Sequence, residues 1–241
     1  MKVAVCLSGI VRGQVPNNLS KMRELFPFDY FYSTYTNRKG DLDWFGIYDN
    51  ITYFEEPKLH YHCIKDVKEL YSFKLKSLKK DIALGRSSQQ YLNTVPHHTK
   101  QILIHANLLN HIDKSYDMII RTRFDCFLSN KVDWNYYLEK SYNENIPIGF
   151  GTRTSRWKNL DKFKEVPKLY PDGKKDVSQD WAYYIMDPLI MHPRNLFDSE
   201  HAFRLHTDKK LLPAEVGWWQ VLSEPYGGEH HLSVYGGAQI E

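Results

Sequence analysis

An α/β fold with a mostly parallel central sheet flanked by helices is the architecture this sequence predicts, on three observations. Short apolar or β-branched runs alternate with stretches of helical spacing, the pattern of strands separated by crossover helices. The opening run from Lys2 to Ile10 is apolar without alternation and ends in Ser8-Gly9, as a central strand buried on both faces does. The 241 residues show no internal repeat, low-complexity tract or linker, so a single domain over 1–241 is expected.

The elements follow in order. After the first strand, Pro16-Asn17-Asn18 opens a helix with Leu19, Met22, Leu25 and Phe26 at helical spacing, and Pro27 stops it. Asp29 to Tyr35 is aromatic and β-branched and reads as the second strand, and Ile51 to Phe54 as the third. Residues 64–84 are mixed and basic and read as helical. Residues 99–112 form a clearer helix, with Ile102, Leu103, Ala106, Leu109 and Ile112 on one face. Met118 to Phe124 is a strand, Asp133 to Leu138 a short helix and Ile146 to Phe150 a strand. Residues 151–178 are polar, lack periodicity and read as a long loop of the acceptor-binding or lid kind. Ala182 to Met191 reads as a strand or strand–helix junction, and Pro213 to Leu222 as a helix. Short crossovers are expected between the strands.

Composition narrows the function. Hydrophobic residues make up 42% and charged residues 25%, ordinary for a globular chain. The net charge is +3 with His neutral, and the basic residues are spread out apart from Lys74, Lys76, Lys79 and Lys80. A nucleic-acid binder gathers its charge on one face or tail, so an anionic small molecule is the expected ligand and no nucleic acid is. Tyr and Trp are abundant, at 17 and 6, and both residues suit sugar or base pockets. Cys6, Cys63 and Cys126 are odd in number, widely spaced and contain no C-x-x-C, which fits a reducing, cytoplasmic setting. The opening apolar run is broken by Ser8-Gly9 and ends at Arg12 without a small-residue cleavage site, so it reads as a strand rather than a leader. No apolar stretch reaches the ~20 residues of a transmembrane segment.

Four constellations carry chemistry. Leu7-Ser8-Gly9-Ile10-Val11-Arg12-Gly13 closes the first strand. Gly9 lets the backbone approach a ligand, Ser8 can donate to a phosphate or ribose, and Arg12 can pair a pyrophosphate bidentately. The run matches neither G-x-x-x-x-G-K-[ST] nor G-x-G-x-x-G, which disfavours a P-loop kinase and a standard dinucleotide oxidoreductase. In Ile119-Ile120-Arg121-Thr122-Arg123-Phe124-Asp125, strand alternation puts Arg121, Arg123 and Asp125 on one face. Such charges are costly to bury without partners, so they either face an anionic ligand or pair with one another. Asp125 can hold a divalent metal or a sugar hydroxyl. Ser178-Gln179-Asp180-Trp181 offers a carboxylate base and an aromatic platform, or simply a helix cap and a core Trp. In the late stretch with Glu215, Trp218, Trp219, Glu229, His230 and His231, Glu229 and His230 could complete a metal or diphosphate site, but the histidines there, and the pair His97-His98, read mainly as surface or core residues. Adjacent histidines diverge on regular elements and supply at most one ligand each. No G-x-S-x-G or H-E-x-x-H is present, and Cys6 lies within an apolar strand where a thiol is inert.

The strand ending Ser8-Gly9-x-x-Arg12-Gly13, with Tyr116-Asp117-Met118-Ile119-Ile120-Arg121-Thr122-Arg123-Phe124-Asp125, resembles bacterial and viral glycosyltransferases of the GT-A type, including proteins of surface-polysaccharide synthesis. The resemblance spreads over the first half of the chain and returns near Asp180-Trp181. It implies one GT-A-like (Rossmann-like) domain, a nucleotide-sugar donor, and a glycan or lipid-linked acceptor. It further implies donor contacts from Ser8, Gly9, Arg12, Arg121, Arg123 and Asp125, with Asp180 as base and Trp181 against the acceptor. In that type the strand ends in Asp-x-Asp, which holds Mn2+ or Mg2+ against the diphosphate. Here Arg123 stands at the first of those positions and only Asp125 remains as metal ligand. A metal-assisted version and a metal-independent one, with guanidinium in place of metal, both follow. The same departure leaves open a non-catalytic carbohydrate- or nucleotide-binding protein on this scaffold.

Overall fold

β1 (Val3–Ser8) is buried at all six positions, as its unbroken apolar run requires. The computed structural model describes residues 1–11, 15–57, 88–151, 160–161, 163–166, 185–211, 214–228 and 230–240. Within them β1 is followed by α1 (Val15–Leu25), β2 (Asp29–Tyr35), α2 (Lys39–Trp44), β3 (Ile51–Phe54), α3 (Ser88–Leu109) and β4 (Met118–Thr122). Then come β5 (Cys126–Leu128), α4 (Trp134–Glu144), β6 (Ile148–Gly151), β7 (Lys164–Val166) and β8 (Leu189–Pro193). α5 (Ser199–Thr207), α6 (Ala214–Leu222), β9 (Leu232–Tyr235) and β10 (Ala238–Ile240) complete the chain.

The main sheet has the strand order β3-β2-β1-β4-β8-β6-β9-β7. The four strands β3, β2, β1 and β4 pair in parallel. β8 runs against both β4 and β6, and β9 is parallel to β6, so β6 and β9 point the way β4 does. β7 closes the far edge antiparallel to β9. The carboxyl ends of β1, β2, β3, β4, β6 and β9 therefore share one edge, which the chain also crosses on entering β8. β10 pairs antiparallel with β5 in a separate ribbon.

Alternation along the strands divides the core. One face carries Val3, Val5, Leu7, Met118 and Ile120 under α1 and α4, with Met22, Trp134 and Tyr137 among the packed residues. The other carries Ala4, Cys6, Ile119 and Ile190 under α3, α5 and α6, with Leu103, Ala106, Ala202 and Trp218. The β1-to-β2 connection passes over the first face and the β3-to-β4 connection over the second. The winding therefore reverses between β1 and β4.

α3 is buried nearly all round from Ile102 to Leu109 because it lies between the sheet and two further helices. The five residues predicted to share a face, Ile102 to Ile112, all enter that core. α4 is capped at its start by the Asp133 side chain, which accepts from the Tyr136 N–H, and ends at Asn145 with φ 51°.

The structure departs from expectation in several places. β4 ends at Thr122, two residues early, because the chain turns at Phe124 to begin β5. The β3-to-β4 crossover is long, from Glu55 to Asp117. α3 starts at Ser88 rather than near residue 99, and α4 runs on to Glu144. α2, α5, β5, β7, β9 and β10 were not foreseen. The expected helix over 64–84 lies outside the described residues, as does most of the 151–178 loop; where that stretch is described, Lys164–Val166 forms an edge strand. Trp134, Trp218 and Trp219 are core residues rather than pocket lining.

Candidate functional site

At the shared edge, β1 ends in Ser8 and Gly9 beside the end of β4, with Leu7 in register with Thr122. Gly9 has φ +125°, a conformation that L side chains rarely adopt. Among the described residues, a Cβ built there meets nothing within 4 Å, so the space beside Gly9 is open to them. The Gly9 N–H is held by the Ser33 carbonyl of β2 at 3.1 Å. Ser8 and Ser33 lie in register, and among the described residues their buried hydroxyls have no hydrogen-bond partner. α1 begins at Val15, so the positive end of its dipole returns to this edge.

Next to it, Arg123, Phe124 and Asp125 form the turn between β4 and β5. The Asp125 carboxylate accepts from Arg123 Nε at 2.7 Å and from Nη2 at 2.8 Å. Asp125 is 1% exposed and the Arg123 side chain 13%. Three contacts fix the turn. The Asn18 amide of α1 donates to the Phe124 carbonyl at 3.3 Å, the Cys126 N–H donates to the Arg123 carbonyl at 3.3 Å, and Phe124 packs in the first core face. Burial pulls the Arg123 guanidinium down, but the hydrogen-bonded Asp125 carboxylate holds it above its ordinary value. Burial likewise pushes the neighbouring Cys126 thiol up to about 12, so it is inert.

Arg121 does not share this surface. With β4 ending at Thr122, its side chain enters the second core face and has no exposed area. It donates to Gln101 Oε1 at 2.7 Å and to the Asp187 carbonyl, and its guanidinium lies 4.6 Å from the centre of the Trp218 ring. Burial lowers it to about 10, partly offset by the Asp187 carboxylate. The Thr122 hydroxyl donates to the Pro188 carbonyl at 3.0 Å. Arg121 and Thr122 thus fasten the segment entering β8, and Asp187 stands beside the arginines. The expectation of one face for Arg121, Arg123 and Asp125 is corrected accordingly: Arg121 anchors from below, while Arg123 and Asp125 sit at the crevice.

Ser33 and Trp218 also belong to this neighbourhood, with Gln101 and Asp187, which were missed in the sequence. Arg12, Asp180 and Trp181 lie outside the described residues, as does Glu229, and nothing is described of the side chains of His97, His98 and Glu215. His230 is exposed and His231 buried beside the Ser223 hydroxyl at 3.1 Å. Cys6 and Cys126 are free, buried thiols. An open hollow of about 760 Å³ lies at the opposite edge of the sheet, against Lys114, Tyr116, Asp117, Tyr142, Asn145 and Arg194, and none of the candidate site residues lines it.

A divalent metal at Asp125 does not fit these residues. Both carboxylate oxygens are engaged by a guanidinium, and among the described residues no group of three His, Cys, Asp or Glu is placed to hold an ion. No helix among the described residues is long and apolar enough to cross a membrane.

No family model and no curated protein matches this sequence. Among solved structures, the chain is similar to 4-diphosphocytidyl-2C-methyl-D-erythritolsynthase from Anaerococcus prevotii, at 11% identity and TM-score 0.49 over 98% of this chain and 87% of that one. It is similar to mannose-1-phosphate geranyltransferase from Thermus thermophilus, at 11% identity and TM-score 0.44 over 100% and 75% of the two chains. A glycosyltransferase involved in the glycosylation of the major capsid of PBCV-1 matches at 7% identity and TM-score 0.39, over 97% and 81%.

Proposed function

We propose that this chain is a transferase that binds a nucleoside-diphosphate sugar over the β1–β4 crevice and moves the sugar to a hydroxyl of a glycan or lipid-linked acceptor. The observation that carries this reading is the placement of Gly9 and Arg123 just past the adjoining ends of β1 and β4, where the winding reverses. In open α/β sheets ligands bind outside the carboxyl ends of the strands at such a point. There the space left beside Gly9, the start of α1 and a guanidinium adjoin one another, and of these the helix start and the guanidinium supply the donors that a diphosphate requires.

In this reading Arg123, with Arg12, contacts the phosphates, while Ser8 and Gly9 border the nucleoside. Arg121 holds Asp187 and the start of β8 from beneath. The acceptor enters from the side of residues 151–178, with Trp181 as platform. The acceptor oxygen attacks the anomeric carbon as its proton passes to Asp180, and the bond from that carbon to the phosphate oxygen breaks. The nucleoside diphosphate leaves with the electron pair, its charge met by the arginines.

The Arg123–Asp125 pair supports a second reading, a binding protein without turnover, because the arginine already has a counter-charge within the chain. One experiment separates them. Melting curves are recorded with UDP-, GDP-, CMP- and dTDP-sugars, and nucleotide release is followed by mass spectrometry. A ligand bound by the native state alone raises the melting temperature. We expect a rise with one nucleotide class that Arg123→Ala removes, and release of the nucleoside diphosphate when a sugar acceptor is present. A rise without release in any acceptor mixture assigns the binding protein. No rise with any nucleotide-sugar overturns both.

A further inference from the structure

The fork between Arg123 and Asp125 uses one particular side of the guanidinium. Nε and Nη2 donate to the two carboxylate oxygens at 2.7 and 2.8 Å, the side-on arrangement. A guanidinium has five N–H donors, and this arrangement takes two. The remaining N–H groups of Nη1 and Nη2 form the end-on fork, and they make no hydrogen bond among the described residues. That end-on fork matches two oxygens of a phosphate.

The pair belongs to the fold rather than to a mobile surface. Asp125 is 1% exposed. The turn carrying both residues is held by Asn18 on one side, and on the other by β5 paired with β10. A cation added at this carboxylate would sit beside a fixed positive charge, and Arg121 adds another nearby.

We propose that Asp125 is a positioning residue for Arg123 and not a metal ligand, so that diphosphate recognition at this crevice needs no divalent cation. The inference rests on the nucleotide-sugar reading above and adds to it the source of the counter-charge. Asp125 holds the side-on face and fixes the guanidinium plane. The end-on fork stays turned to the diphosphate and takes up charge that a metal would otherwise neutralise.

The test is calorimetric titration of the full chain with UDP, GDP, dTDP and inorganic pyrophosphate, each in EDTA and again in excess Mg2+ or Mn2+. For the probe that binds, affinity is expected to agree within about twofold between EDTA and metal, because the charge contact is supplied by the protein. Arg123→Gln is expected to lose about 10–100-fold in both conditions, the range for a charge-assisted bidentate contact. Asp125→Asn keeps one acceptor for Arg123 and is expected to lose less, and equally in EDTA and metal. A purely structural role for Asp125 would leave affinity unchanged in the fraction that folds, as judged by melting curves, and would overturn the positioning role. Binding seen only with Mn2+ or Mg2+, in the unaltered protein, overturns the proposal while leaving the nucleotide reading intact. Absence of binding by every probe in both conditions overturns the nucleotide reading and this proposal with it.

Discussion

Arg121 has no exposed surface, yet burial lowers it only to about 10, so it stays charged at neutral pH. Its charge is met by Gln101, the Asp187 carbonyl and the face of Trp218. Lysine lacks the planar fork and cannot reach both acceptors while stacking on the indole. We expect Arg121→Lys to cost about 3 kcal/mol, the lower end for breaking a buried charge contact, and to lower the melting temperature by roughly 6–12 °C in a chain of this size. A change below about 1 °C in a melting curve would show that the three contacts are not holding the segment. The core beneath Trp218 holds a second polar pair. His105 and His192 meet Nε2 to Nε2 at 3.4 Å, both fully buried. Arg121 and Arg194 lie nearby, with Phe197 and Trp218 packed against His105. Burial lowers His105 well below 6.5, helped by His192 and both arginines, and burial lowers His192 to about 4. The sign follows from linkage. Below about pH 6.5 the unfolded chain takes up protons that the folded pair refuses, so stability falls as pH drops toward about 4. His192 alone contributes a loss on the order of 3 kcal/mol across that window. Urea unfolding at a series of pH values should show this slope, and His105→Phe combined with His192→Leu should flatten it. An equal slope in that variant would place the acid sensitivity elsewhere.

At the scale of elements, the tightest constraint is where the segment entering β8 crosses β6. A Cβ on Gly149 would lie 2.4 Å from the Met186 carbonyl oxygen and 2.6 Å from its nitrogen. Both are backbone atoms, and the segment is tied below by Arg121 and Thr122. We expect Gly149→Ala to destabilise by about 2–3 kcal/mol through this overlap, read as a shift of the urea midpoint. A neutral Gly149→Ala would mean that the segment moves freely and that Arg121 does not fasten it. Nothing in the sequence announced this glycine, because its neighbour arrives from 37 residues away. β2 and β3, by contrast, were legible to the residue, since each is an aromatic and β-branched run between turn residues. β5, β7 and β10 have three residues each, too few for any period, and they owe their definition to the strands that they pair with. The same limit explains Arg121, Arg123 and Asp125. The residues were visible, but strand alternation holds only while the strand lasts, and a turn at Phe124 sent the first away from the other two.

On the scale of the whole molecule, the reversal of winding between β1 and β4 follows from the order of strands and helices, and the sequence carried that order. It did not carry the pairing of the chain's last strand with the turn at the crevice. Ala238, Gln239 and Ile240 lie in register with Leu128, Phe127 and Cys126, directly after Asp125. The Ser129 N–H is held by the Gly237 carbonyl at 2.9 Å, and Ala238 is fully buried in the first core face. Asn18 and β10 therefore grip the same turn from residues more than 200 positions apart. Such a contact closes a very long loop, and it is offset by burial and backbone hydrogen bonds at one place. Removing residues 238–241 should then act on the crevice before it acts on the sheet. We expect amide exchange of residues 126–128 to rise by at least about tenfold, while the amides of β1 and β4 keep their protection, since local opening draws on local contacts. Any ligand bound at Arg123 should weaken in parallel, because the Arg123–Asp125 fork depends on that turn. If β1 and β4 lose protection together with residues 126–128, the ribbon is part of the global folding unit and the turn has no separate support. If no amide changes, β10 does not hold the turn, and α1 through Asn18 carries it alone.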